Sequence, residues 1–150
     1  MQKYKIGLLI VMVAITLQAC AYNPSKNFTN LEDKSLYERM GGLPVITKIV
    51  DEFIDEVAAS PRTKRSFKGI KLKTLKESVV SQICKLANGP CVYEGETMLN
   101  AHHDAKITDA EFNAFVDIFR GTLNRYVETR EKNEMLKLLA PMKRDIVVQN

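Results

Sequence analysis

The stretch Ser35-Leu36-Tyr37-Glu38-Arg39-Met40-Gly41-Gly42 sets the reading of the whole chain. Ser35 followed three residues later by Glu38 is a capping box, in which each side chain satisfies the other's free backbone N–H. It predicts a short helix. Gly41-Gly42 ends that helix, because glycine adopts left-handed backbone without steric cost. Immediately beyond, Ile46, Ile49, Val50, Phe53, Ile54 and Val57 recur at helical spacing and predict an amphipathic helix from Leu43 to Ala59. Pro44 suits its first turn, and Ser60-Pro61 breaks it.

Downstream, the segment Arg62 to Lys73 is basic and irregular. Leu75, Val79, Ile83 and Leu86 mark a third helix, stopped by Asn88-Gly89-Pro90. Cys91 to Glu96 reads as loop, and Thr97 to His103 as a short helix. Thr108 and Glu111 form a second capping box. The helix it opens carries Phe112, Phe115, Val116, Phe119, Leu123 and Tyr126 and reads as the longest of the chain. Met135, Leu138, Leu139 and Met142 give a last helix, kinked near Pro141. The fold class is all-α, with about four substantial helices and no internal repeat.

The 150 residues are about one domain's worth, and 45% hydrophobic with 27% charged is a globular profile. The net charge of +4, from 22 basic and 18 acidic residues, is spread along the chain, so a dedicated nucleic-acid groove is not expected. Three Cys and two His leave no multi-cysteine zinc module.

The first residues read as an export signal rather than as fold. Lys3 and Lys5 give a positive start, and Ile6 to Leu17 is a 12-residue apolar run. A bilayer of ~30 Å needs about 20 residues, so this run is too short to span. Leu17-Gln18-Ala19-Cys20 resembles a bacterial lipobox, with Gln18 a poorer match than a small residue. The expected organisation is therefore a lipoprotein signal peptide over 1–19, a lipidated tether over 20–33 beginning at Cys20, and a globular domain over 34–150. A plain signal peptide or an uncleaved anchor is the alternative. Lipidation would place the domain outside the cytoplasm, on a bacterial membrane, facing the periplasm or the cell surface.

His102 and His103 are the only histidines. Neighbouring helix residues point about 100° apart, so the pair cannot grip one metal from a regular helix. There is no Cys-x-x-Cys-His, no phosphate loop and no nucleophile elbow. One histidine is still enough for the axial ligand of a non-covalent haem, if an apolar cleft surrounds it. Phe67, Leu75, Val79, Tyr93, Met98 and Phe112 could line such a cleft, or could be ordinary core residues beside solvated histidines.

An ordered set of short motifs resembles the truncated haemoglobins, most closely group I. The matching pieces are Ser35 to Gly42, Phe53, Phe67, Gly89-Pro90, Tyr93, Gly95, Met98, Ala101-His102, Ile107 and Arg144-Asp145-Ile146-Val147. The resemblance implies a globin-like, two-over-two helical sandwich around haem (heme b, iron protoporphyrin IX). It implies His102 as proximal iron ligand and Phe67 packed on the haem face. Leu72, Leu75 and Val79 would line the distal side, and Tyr93, Met98, Ile107 and Phe112 the proximal side. His103 has no role in the pattern and is expected to be exposed.

Two residues depart from the group. Ile54 stands where a distal tyrosine is usual, and Val79 where a glutamine is usual. Gln82, three residues on, should point elsewhere. The polar cage around a gas ligand is therefore expected to be missing. Export is a third departure and implies an oxidising compartment, where Cys84 and Cys91 either pair or remain two free thiols. The leading functional reading is a haem protein that binds oxygen or another diatomic gas reversibly, served by an unidentified reductase. The competing readings are a haem enzyme, such as a nitric oxide dioxygenase or a peroxidase, and a haem-less structural lipoprotein.

Overall fold

The computed structural model describes residues 34–148. The signal peptide, Cys20 and the tether expected before them lie outside the described residues. Among the described residues seven α-helices run in chain order: α1 (Leu36–Arg39), α2 (Gly42–Ala59), α3 (Leu72–Leu86), α4 (Met98–His102), α5 (Asp109–Tyr126), α6 (Thr129–Leu139) and α7 (Lys143–Ile146). Three 3-10 turns, Lys64–Phe67, His103–Ala105 and Ala140–Met142, join them. Four of the helices are substantial, as the periodicity predicts. The helix after Thr108 is not the longest, however, because α2 and α5 each have 18 residues. The difference lies at Gly42, which enters α2 with φ +71° after Gly41 at φ +92°, so the Gly-Gly pair turns the chain and also starts the next helix.

Both capping boxes form. Ser35 N donates to Glu38 Oε2 at 2.9 Å and Glu38 N to Ser35 Oγ at 3.2 Å. Thr108 N donates to Glu111 Oε2 at 3.1 Å and Glu111 N to Thr108 Oγ1 at 3.2 Å. Pro141 offers no N–H to continue the ladder of α6, which gives way there to the 3-10 turn before α7.

The apolar stripe of α2 is the centre of the core. Ile46, Ile49, Val50, Phe53, Ile54 and Val57 are all buried, and α2 packs on both α3 and α5. Phe53 meets Phe115 edge-on at 4.6 Å between ring centroids, and Phe119 packs on it tilted at 4.7 Å. Edge-to-face pairs of this kind contribute ~0.5–1.5 kcal/mol beyond area burial. α1 is fixed at both ends. Tyr37 N donates to Ala87 O at 2.8 Å, and the Tyr37 hydroxyl accepts from Leu43 N at 3.1 Å. Arg39, buried against α6, donates from Nε to Glu131 Oε1 at 3.1 Å and from Nη1 to Lys34 O at 2.7 Å, and it also pairs with Glu134.

The end of α3 is tightly constrained. Asn88 takes left-handed backbone at φ +61°. A Cβ on Gly89 would lie 2.5 Å from the Tyr37 ring and 2.8 Å from Cys84 Sγ, so only glycine fits. Cys84 and Cys91 are joined in a disulfide with a Cα–Cα distance of 5.8 Å. The bridge ties the last turn of α3 to the loop leading into α4. Closing a loop this short removes about 2.5 kcal/mol of chain entropy from the unfolded state. We expect the Cys84→Ala/Cys91→Ala double variant to lose about 2–3 kcal/mol in urea unfolding. A loss near zero would show that the bridge does not constrain the unfolded chain.

Candidate functional site

α3, α4, α5 and the Lys64–Phe67 turn enclose a cleft of about 850 Å³, mouth included. About 220 Å³ of it is free to take water-sized groups, the remainder being its open mouth. Phe67, Ile70, Leu75, Ile107, Phe112, Phe115 and, from α7, Ile146 line it. Ala101 and Ala105 are small enough to leave space beside His102, which also lines the cleft.

Few polar groups reach this surface, and nearly all are engaged with the protein. The Thr63 hydroxyl donates to Val57 O at 2.6 Å. The Ser66 hydroxyl lies 3.4 Å from Glu111 Oε1. Glu111 accepts Arg65 Nε and Nη2 at 2.7 Å each, in a two-pronged pair, as well as the Thr108 hydroxyl at 2.9 Å. The Arg65 guanidinium, opposed in part by burial and helped by Thr108, lowers the Glu111 carboxyl to about 2. The same guanidinium reaches Ala105 O at 3.3 Å and Lys106 O at 3.2 Å, so it clasps the corner between α4 and α5 to the turn before Phe67.

His102 is the exception. Its Nδ1 lies 2.8 Å from Met98 O. A carbonyl only accepts, so Nδ1 carries a proton and Nε2, on the far side of the ring, is the nitrogen left to bind a metal. Among the described residues no three His, Cys, Asp or Glu side chains gather into a metal-holding group. A single lone-pair nitrogen in an apolar cleft suits a metal that arrives with its other ligands already supplied by a macrocycle, and the residues present fit a haem.

Phe67, Leu75, His102, Ile107 and Phe112 are thus brought together as the sequence suggests. The other expected lining residues lie outside the cleft walls. Ile54 is wholly buried in the core, and Leu72 and Val79 are half-buried against it. The Tyr93 hydroxyl donates to Glu96 O at 3.1 Å, and Met98 Sδ lies 3.5 Å from Gln82 Nε2. Gln82 Nε2 is also 3.9 Å from Met142 Sδ. His103 is exposed and lies 3.0 Å from Asp104. Sequence reasoning did not find Thr63, Ser66, Ile70, Ala101, Ala105, Glu111, Phe115 or Ile146 as lining residues. Phe115 had a signal, one helical turn beyond Phe112. Glu111 was legible only as a cap.

The model of the bacterial-like globin family matches residues 35–148, the whole described domain. The chain belongs to the bacterial-like globins. It is 25% identical over 115 residues to a group 1 truncated hemoglobin of Tetrahymena pyriformis, covering 76% of this chain and 95% of that one. It is 27% identical over 120 residues to the group 1 truncated hemoglobin GlbN of Mycolicibacterium paratuberculosis, covering 79% and 88%. The crystal structure of the Tetrahymena pyriformis protein in its Fe(III) form superposes with a TM-score of 0.73, covering 77% of this chain and all of that one. The fold is that of a truncated globin, and the group 1 resemblance of the sequence is supported.

In this globin the Arg65–Glu111 clasp has a pH signature. Folding lowers the Glu111 pKa, so its stabilisation is complete above the unfolded carboxylate range and is lost as pH falls toward about 2. We expect the melting temperature of the wild type to fall more steeply between about pH 4.5 and pH 2 than that of Glu111→Gln. Parallel curves would show that the clasp carries no linkage.

Proposed function

We propose that this globin holds haem b non-covalently, with His102 Nε2 as the axial ligand, and binds oxygen or another diatomic gas reversibly. The observation that carries this reading is the His102 ring, fixed by Met98 O and lining an otherwise apolar cleft. When bound, haem supplies an iron that a diatomic gas can ligate. The chain's own part is to orient His102 and keep water away with Phe67, Leu75, Phe112 and Phe115. The hydrogen bond to Met98 O also fixes the tautomer and raises the basicity of Nε2. We expect His102→Ala to abolish the Soret band of the purified protein and His103→Ala to keep it. Equal loss in both variants, or loss only in the second, would refute the assignment.

The affinity follows from the distal side that the resemblance implies, where Ile54 is buried in the core and Val79 is half-buried against it, so that neither lines the open cleft. Ile54 and Val79 have no donor to offer a gas ligand, and Gln82 is turned to Met98 and Met142. A hydrogen bond to a charged group is worth ~1.5–3 kcal/mol, about ten- to a hundred-fold in affinity. We expect oxygen to bind this much more weakly than in a relative with distal tyrosine and glutamine, and carbon monoxide to be affected less. Stopped-flow measurement on Ile54→Tyr/Val79→Gln should show slower oxygen dissociation. Slow release by the wild type, unchanged in the variant, would contradict it.

Lipidation at Cys20 is part of the same proposal and rests on the lipobox resemblance, the apolar run before it and the disulfide, which suits an oxidising compartment. We expect the wild type to fractionate with membranes and Cys20→Ser to be released or retained as precursor. A fully soluble wild type would rule the anchor out.

A further inference from the structure

Between Glu56 and Glu77 the chain carries seven cationic residues and no acidic one. The fold neutralises three of them. Arg62 pairs with Asp117 at 3.2 Å, Arg65 with Glu111 at 2.7 Å and Lys76 with Asp55 at 2.9 Å. The other four, Lys64, Lys68, Lys71 and Lys73, are exposed. Among the described residues none of these four forms an ion pair. They fall within ten residues of one another in the sequence. Lys68 and Lys71 bracket Ile70, which is 49% exposed and lines the cleft. Gly69, between them, has φ +80° and nothing within 4 Å of the position a Cβ would take, so this lip stands clear of the rest of the protein. Ile70 and Ala101 are the exposed residues among the cleft walls, so a group held inside is approached from solvent past this lip.

We propose that the lysine lip around Ile70 docks an acidic one-electron donor protein that reduces the iron of this globin. The inference rests on the haem reading above. Oxygen binds the ferrous form, and each ferric centre needs one electron to return to it. The donor is oxidised by one electron and the iron reduced by one, with no bond made or broken. Unpaired like charges close together in the sequence repel one another, and a complementary acidic surface relieves that repulsion while steering the encounter. An exposed apolar residue among unpaired cations matches the small, transient contacts typical of redox partners. The position of the lip at the cleft's approach is what favours an electron donor over a generic anion.

The test uses the full chain loaded with haem, with the hydroquinone form of flavodoxin, an acidic one-electron donor, as probe. The neutral 5-deazariboflavin semiquinone is the control reductant. We expect the flavodoxin reduction rate to fall at least about tenfold between low salt and about 0.5 M salt, with the control unaffected. We expect a similar fall in the variant Lys64→Glu/Lys68→Glu/Lys71→Glu/Lys73→Glu, and in the milder Lys68→Gln/Lys71→Gln should the first fail to fold. Calorimetry with oxidised flavodoxin should show binding that weakens in the same variants, a readout independent of electron transfer and applicable without haem. A salt-independent rate, or variants that react and bind as the wild type does, would overturn the proposal. So would variants whose only defect is a lost preference for phosphatidylglycerol over phosphatidylcholine vesicles, which would make the lip a lipid-headgroup surface. Failure of the haem reading shows separately, as absence of a Soret band in the protein before any donor is added.

Discussion

A helix of five residues, α4, carries the imidazole of the cleft, and a helix that short does not hold itself. Nucleating a helical turn fixes several dihedrals for each hydrogen bond gained, so isolated helices below about 12 residues are marginal in water. The position of His102 must therefore be imposed from outside α4, and the surrounding structure does so from several directions. The Cys84–Cys91 bridge fixes the approach to α4. Thr97 caps its first turn by accepting from Asn100 N at 3.3 Å. Past its end, Arg65 grips Ala105 O and Lys106 O, and the Ile107–Val147 bridge, with Val148 N donating to Ile107 O at 3.0 Å, ties the following chain to the end of α7. α7 itself packs against α4.

The same constraint explains how the cleft can be both apolar and specific. Thr63, Ser66 and Glu111 reach its walls, yet each is satisfied by a partner within the protein. An unsatisfied polar group there would cost ~1–3 kcal/mol and would draw water toward His102 Nε2. With those groups engaged, the His102 ring is the feature that can single out one ligand chemistry. Function and stability meet at Glu111, which caps α5, anchors Arg65 and closes one side of the cleft. Ile54 and Val79 serve core packing instead.

The parts legible in the sequence were those written over three to seven residues. The capping boxes at Ser35/Glu38 and Thr108/Glu111 and the stripe of α2 follow from local spacing, and so do the breaks at Ser60-Pro61 and Asn88-Gly89-Pro90. His102 was legible because its chemistry is scarce in this chain and its neighbours resemble a family pattern. What stayed hidden was long-range. The pairing of Arg39 with Glu131 spans 92 residues and that of Arg65 with Glu111 spans 46, and no periodicity encodes either. Ile70 looked like part of a basic loop because its exposure to the cleft depends on where the turn at Gly69 places it. Tyr93 and Met98 are a different case. Both fit the family pattern, but the loop and α4 turn Tyr93 onto Glu96 and Met98 onto Gln82, outside the cleft walls.

The central claim is that His102 Nε2, oriented by Met98 O, is the bond through which this fold holds iron. Resonance Raman spectroscopy of the ferrous, gas-free protein tests that bond directly. The account predicts an iron–imidazole stretching band in the wild type, absent from haem-reconstituted His102→Gly and restored when free imidazole is added to that variant. A band that persists in His102→Gly without added imidazole would mean that another residue ligates the iron, and would contradict the account.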